Sequence, residues 1–472
     1  MGKCNYLLGL ILLFILLITP ISIICAQELW SYDPDKEVEL SRYWTVSAIT
    51  ISDDNKFIAV GLYRHYYISS DCFYIEDFET KQKCHIEESK VLLFDISGRL
   101  LWEYKTKNKI EGIQFSTNSK YLILNNSRSY GTYTEPQDKI YLFSTEGELL
   151  WVYDGAHNGR IGSDNIVLFH YDFPNYENRK TLLVNIEKEI IKEYPDIGIY
   201  SANRDLSKVL FTNLRGFENP QVTPEYIGVM SKSGTVLWKK AIRIDGFTRP
   251  NEQFISDDGN RVVILEEPSK VSGPRIIYFV DSKGNVTSTY IINDFLLPKL
   301  DSSSDGKYSI LGYQTNIKAQ GHNINNPDTW KYNTKFILFN DSGNIIWESN
   351  IESNSGPWSI NLCNNKLYIL FSIYMNSSTN PYLAIMDRNT GEIINMLDLD
   401  TRDICVSPDD TYTVLVRDIN KIYLYQTDEL INMGDNKTET IDETKSSYPN
   451  QLVYVVAIVL VLLGIYYNER KR

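Results

Sequence analysis

Positive charge is what this sequence most plainly lacks. Its 47 lysines and arginines face 60 aspartates and glutamates, a formal net charge of −13 over 472 residues. Nucleic acid attracts proteins largely through neutralised phosphates, so an acidic chain without a basic patch is a poor candidate for it. Histidine is scarce as well. His65, His85, His157, His170 and His322 are the whole supply, and no two stand at metal-ligand spacing. All five fall in stretches that read as loops, which predicts solvated rings. No Gly-rich phosphate loop and no serine elbow between glycines occurs. Residues 301–306 (DSSSDG) resemble a calcium loop only superficially, without alternating ligands or a terminal Glu, and are expected to form a β-turn. No cofactor and no metal are expected.

Long hydrophobic runs are missing from the body of the chain and confined to its ends. Residues 1–26 carry Lys3, an almost wholly apolar run from Leu7 to Ile24, and Cys25-Ala26 before Gln27. That is the form of a secretory signal peptide; an uncleaved anchor is the alternative. At the other end, residues 451–467 (QLVYVVAIVLVLLGIYY) read as a transmembrane helix, and residues 468–472 close on Arg470-Lys471-Arg472. Cations directly after an apolar span mark the cytoplasmic side. Both ends therefore predict type I topology in the cell membrane, with residues 27–430 extracytoplasmic. Residues 431–450 are polar, lack periodicity and read as a flexible stalk.

Cysteine is sparse, six in all, and two of these lie in the leading segment. An oxidising exterior permits disulfides, and Cys72 with Cys84 in one polar insertion is the expected bridge, worth about 3 kcal/mol by loop closure. Cys363 and Cys405 are left as either a further pair or buried thiols. Candidate glycosylation sequons stand at Asn125, Asn285, Asn340, Asn376 and Asn436.

What is present in abundance is a repeat. Residues 90–104 (KVLLFDISGRLLWEY) read as a strand, a Gly turn and a second strand bearing Trp102. The pattern returns at 139–153, 226–240 and 335–349, more weakly at 275–290 and 382–397. Each hairpin follows another strand pair whose turn is crowded with Ser, Asp, Asn and Gly, as in AITISDDNKFIAV from Ala48. Two further units are degenerate, 162–194 and 199–240. Recurrence at about 50-residue spacing means an array of β units. Eight four-stranded units predict an all-β fold, a single β-propeller, or seven blades if the third unit is irregular. The last repeat lacks its fourth strand, and residues 28–32 (ELWSY) resemble that missing strand. They are expected to complete the last blade and close the ring.

The Gly-turn hairpin with Trp in its outer strand resembles the repeat of the PQQ-like, or quinoprotein-type, β-propeller superfamily. Residues 387–392 (DRNTGE) are similar to its Asp-x-x-Thr-Gly core, although Asn395 stands where the repeat has Trp. The Ser-x-Asp-Gly turns are also similar to WD-type repeats, without any Trp-Asp dipeptide. The resemblance covers nearly the whole of residues 27–430 and is specific for fold. In the enzymes of that superfamily it would imply adjacent cysteines over the cofactor, and this chain has none.

Insertions concentrate between the second and third strands of the repeats: 64–88, 126–138, 171–179, 214–225, 266–274, 313–334 and 374–380. Alternate connections of an up-and-down blade emerge on opposite faces, so these loops should share one face. Tyr66, Tyr67, Tyr130, Tyr133, Tyr171, Tyr176, Phe217, Trp330 and Tyr332 are the candidate binding residues there, since aromatic rings on loops give rigid amphipathic contacts. Self-packing of tyrosines in a chain with 33 of them is the plain alternative. The expected function is a cell-surface, membrane-anchored, non-enzymatic binding platform for an envelope protein or glycan. An enzyme using the central channel (quinoprotein-like, hydrolase or lyase) and an assembly subunit of a membrane complex are the alternatives. A composition rich in Asn, Ile, Lys and Tyr fits a prokaryotic source, archaea included.

Overall fold

A computed structural model describes residues 28–432, except 36–43, 68–84, 128–137, 172–179, 196, 214–225, 241–247, 269–273, 294–295, 316–331, 354–356, 358, 364–365, 376–377, 400 and 418–419. The described strands form eight four-stranded antiparallel sheets, each in simple up-and-down order. The blades span residues 45–106, 109–154, 156–195, 197–240, 248–292, 296–353, 359–398 and, for the eighth, 403–426 with 28–32. First strands of neighbouring blades pack together except between the third and fourth blades, where the first strand of the fourth meets the second and third strands of the third, and the eighth blade meets the first. The first strands therefore surround the central channel.

Burial explains why the sequence reads as it does. Third strands are covered on both faces, so Val91, Leu92, Leu93 and Phe94 run without a polar break and are all buried. Each such side chain contributes about 1.5–3 kcal/mol on leaving water. Packing crosses the seams: Ala59 and Val91 of the first blade share a cluster with Leu122 and Phe143 of the second. Outer strands have one wet face and carry half-exposed pairs such as Ile190 with Ile191 and Val236 with Leu237.

The recurring Trp and Gly meet between blades, not within one. Trp102 packs its ring under the third-to-fourth-strand turn of the second blade and donates Nε1–H to the Thr145 carbonyl at 3.1 Å. At that turn Gly147 has φ +97°, and a Cβ on it would fall 2.8 Å from the Trp102 ring. Glycine is needed twice over, for the left-handed backbone and for the close approach. Trp151 and Trp347 make the equivalent bonds to Ile186 and Arg388 at 2.8 and 2.7 Å. In the third blade Tyr194 substitutes, its hydroxyl donating to the Lys232 carbonyl at 2.6 Å.

Ring closure follows the same rule. Residues 28–32 pair antiparallel with Lys421–Gln426 as the fourth strand of the last blade. Trp30 Nε1–H donates to Ile96 of the first blade at 3.0 Å, and Gly98 lies against its ring. The exception at Asn395 also acquires a reason. The third strand of the eighth blade has no hairpin turn for a Trp to meet. It continues instead into a short helix, Thr427–Asn432, unexpected from the sequence. Asn395 Nδ2–H donates to the Ile431 carbonyl at 2.7 Å, and Leu430 is fully buried beneath the helix.

Three expectations need correction. The 64–88 segment is not wholly a loop, because Phe57–Tyr67 and His85–Asp95 pair along eleven residues each, placing Tyr66 and Tyr67 in a strand. Likewise Lys366–Met375 and Ser378–Asp387 pair through most of 374–380. The third unit begins at Ala156 and not at Gly162, its first strand being Ala156–Ile161 (AHNGRI). That strand is too polar to be recognised by apolar alternation. The expected leading segment, stalk, membrane span and tail lie outside the described residues. No helix among the described residues is long and apolar enough to cross a membrane.

Candidate functional site

Most long connections join a second strand to a third, and another, 33–44, joins the last blade to the first; in up-and-down blades both kinds emerge on one face, here the loop face. First-to-second and third-to-fourth turns emerge on the other, the short-turn face. The two ends of the channel differ in chemistry.

At the short-turn end the turns bond to themselves and to one another. Ser52, Ser256, Ser303 and Ser407 each donate Oγ–H to the Asp two residues on, at 2.6–2.8 Å, and accept a backbone N–H five residues on. Neighbouring turns are linked by Asn55 to Asp409 at 2.7 Å and by Asn203 to the Asp257 carbonyl at 2.8 Å. Arg204 of the fourth blade pairs with Asp53 of the first and lies 4.0 Å from Asp257 of the fifth. This guanidinium spans the channel. Burial raises the Asp53 carboxyl pKa, and the Arg204 charge opposes that rise.

At the loop-face end a cavity of about 580 Å³ opens between the second, third and fourth blades. That size suits a small ligand or a few residues of a chain. Its wall is built largely on the polar strand Ala156–Ile161. Asn158 has φ +54°, and the register shifts between His157 and Arg160, so this strand bulges. Asn125 of the second blade grips the bulge with both amide atoms: Nδ2–H donates to the Gly159 carbonyl at 3.0 Å, and Oδ1 accepts Gly159 N–H at 2.5 Å. A side chain on Gly159 would meet Ile123 and Ile140 at 2.8 Å.

The bulge sets four cationic or imidazole side chains at the cavity. His157 and His170 lie directly across the ladder, their ring centroids 5.4 Å apart. His170 is buried and fully engaged. Its Nε2 accepts Ile199 N–H at 2.7 Å, and Nδ1 contacts Thr181 Oγ1 at 3.1 Å. Thr181 Oγ1 donates to the Ile197 carbonyl at 2.7 Å and so accepts from Nδ1–H, while Nε2 also stands 3.1 Å from the Ile199 carbonyl. His157 Nδ1 stands 3.8 Å from Asp138. Lys180 pairs with Glu193 at 3.0 Å and lies 5.8 Å from the centre of the Tyr171 ring. Arg160 differs from all of these. Among the described residues no hydrogen bond or ion pair engages it, and no acidic side chain is among those lining the cavity. Burial alone lowers its guanidinium pKa, with no carboxylate opposing the shift.

Of the nine candidate loop aromatics, Tyr171 has a described side chain and lines this cavity. Tyr66, Tyr67 and Tyr332 are strand residues whose side chains lie outside the description; Tyr130, Tyr133, Tyr176, Phe217 and Trp330 lie outside the described residues. So do Cys72, Cys84, Asn376 and Asn436. Asn125 is the amide gripping Gly159, Asn285 is exposed and bonds Asp281 at 3.0 Å, and Asn340 accepts two N–H groups of its own turn. Cys363 and Cys405 are free thiols. His65, His85, His157 and His170 were expected in loops and are strand residues, and His322 lies outside the described residues. Sequence reasoning missed His157, His170, Arg160 and Lys180 as a group. The one available signal was the polar strand AHNGRI at a position where other repeats are apolar.

No family model matches the chain, and no curated protein does. Solved structures do match. The C-terminal WD40 domain of Sif2 aligns with TM-score 0.51 at 10% identity, over 85% of this chain and 99% of that one. Sqt1 of Chaetomium thermophilum, bound to the N-terminus of ribosomal protein L10, aligns with TM-score 0.50 at 10% identity, over 85% and 100%. BamB of Moraxella catarrhalis aligns with TM-score 0.48 at 11% identity, over 85% and 99%. At such identities the likeness is one of fold: the chain is a β-propeller, as those domains are.

Proposed function

We propose that this protein is a non-enzymatic binding platform: a propeller held at the cell membrane by its C-terminal apolar run, displayed outside the cell, and engaging an envelope protein or glycan. The observation that carries the reading is the asymmetry of the two faces. Short turns bonded to each other, with Arg204 across the channel, occupy one face. The other gathers the long connections around a cavity whose polar groups include an uncommitted cation. Binding residues concentrate on loops carried by a rigid frame. Helix Thr427–Asn432 follows a strand running toward the short-turn face. Sqt1, a propeller of similar fold, is described with a protein segment bound.

Proximity cross-linking of the full-length protein on intact native cells, followed by identification of the neighbours, tests the proposal. Recovery of one or two envelope proteins or glycoconjugates, cross-linked through loop-face residues, is expected. Correct display at the surface with no specific neighbour would overturn the platform reading and favour chemistry in the channel.

A further inference from the structure

We propose that the loop-face cavity is a receptor for a single carboxylate, anchored by the guanidinium of Arg160. The carboxylate is carried either by a small acid or by an acidic side chain of a bound partner. The second case deepens the platform reading and rests on it; the first does not need it.

Three observations converge. Among the described residues the cavity wall carries Arg160, Lys180, His157 and His170 and no Asp or Glu, in a chain whose net charge is −13. A described wall with cationic groups and no carboxylate, in so acidic a protein, favours an anion entering from outside. Second, Arg160 has neither a hydrogen bond nor an ion pair, while the other cationic groups are committed, Lys180 to Glu193 and His157 to Asp138. A guanidinium offers five N–H donors, is always charged, and is costly to enclose without a counter-charge. Third, the strand that carries it is held in place. The two-point grip of Asn125 on Gly159 fixes the bulge from which Arg160 projects, so the donor is set before any ligand arrives.

Charge counting selects the class of anion. With Lys180 and His157 already opposite carboxylates and His170 held by Thr181 and Ile199, Arg160 is the one permanent charge of the described wall that faces no partner. That balances one carboxylate; a phosphate dianion would need a second free cation. The planar fork of Arg also matches the two oxygens of a carboxylate. Entry is from the loop face, because Arg204 crosses the channel at the other end.

The test is isothermal titration calorimetry on the full-length protein in detergent at neutral pH. N-acetylglycine and glucuronate represent free acids. The peptide N-acetyl-Gly-Asp-Gly-amide represents a partner's side chain. N-acetylglycinamide, glucose and the corresponding Asn peptide are their uncharged mates, and inorganic phosphate is the competing anion. At least one acid should bind at least tenfold more tightly than its mate. R160Q should lose that binding, R160K should retain part of it, and R160Q should melt no lower than wild type, because the substitution removes an unpaired enclosed charge. Binding by the peptide but not the free acids assigns the site to a partner's acidic side chain; the reverse assigns it to a small acid and leaves the platform reading to its own test. Four results would overturn the proposal: no acid binding at 10 mM, on the order of a weak-site limit; phosphate binding as tightly as the acids; binding undiminished in R160Q; or a markedly lower melting temperature for that variant.

Discussion

Trp30 gives the most direct test of how the ring is held shut. It lies in a five-residue strand far from its partners in sequence, and two contacts bind it. Its strand pairs with Lys421–Gln426, and its ring sits on Gly98 and Phe94 of the first blade, 5.3 Å from the Phe94 centroid. Large aromatic-to-Ala changes in full cores cost about 3–5 kcal/mol. Trp30 is half-buried, so the contact part of that range falls to about 2 kcal/mol, and loss of the bond to Ile96 adds about 1 kcal/mol. A domain of roughly 400 residues unfolds with an entropy near ~0.8 kcal/mol/K, so W30A should melt about 3–4 °C lower. W102A, which breaks the equivalent contact between the first and second blades, should melt lower by a similar amount. Hydrogen exchange then separates the two. W30A should speed exchange of the 421–426 amides, because their outer partner strand is loosened; W102A should leave them protected. If W30A melts within 1 °C of wild type, on the order of measurement error, or leaves 421–426 protected, residues 28–32 do not close the ring.

Other outcomes follow from the same geometry. H170L should lose about 1–3 kcal/mol in chemical denaturation, because it leaves the Ile199 N–H that now donates to Nε2 without its acceptor. Burial pulls the Asp409 carboxyl pKa up, but hydrogen bonds from Asn55, Thr411 and Ser407 pull it down by more, to about 2. A carboxyl pKa depressed below its unfolded value stabilises the fold above about pH 4 and loses that contribution as pH falls toward 2. Because Asp409 is exposed, its share is about 1 kcal/mol or less, and the difference between wild type and D409N should shrink over that window. Partial burial pushes the Cys405 thiol up to about 12, so only about one part in 10⁴ is thiolate at pH 8, and thiol reagents should label it far more slowly in the native protein than in the unfolded chain. Fast labelling of the native protein would refute that.

Much of this molecule is written locally. Gly98, Gly147 and Gly391 stand where the turn needs positive φ, the Ser-x-Asp turns form hydrogen bonds within a few residues, and doubly covered strands are apolar throughout. Those features recur with the repeat, so strand number, blade number and the role of residues 28–32 were legible from the sequence. The Asn at position 395 was legible only as a departure; its reason required the helix that replaces a turn. Of the site, Tyr171 alone was legible. His157 and His170 are 13 residues apart and meet only because a bulge sets the register of one strand against the next. Arg160 is distinguished by what fails to approach it among the described residues, and Arg204 meets Asp53 across two intervening blades. Sequence determines contacts that close within a turn or repeat with the blade. Which side chains share an enclosed space, and which charge is left without a partner there, depends on distances between remote segments, and only the closed ring decides those.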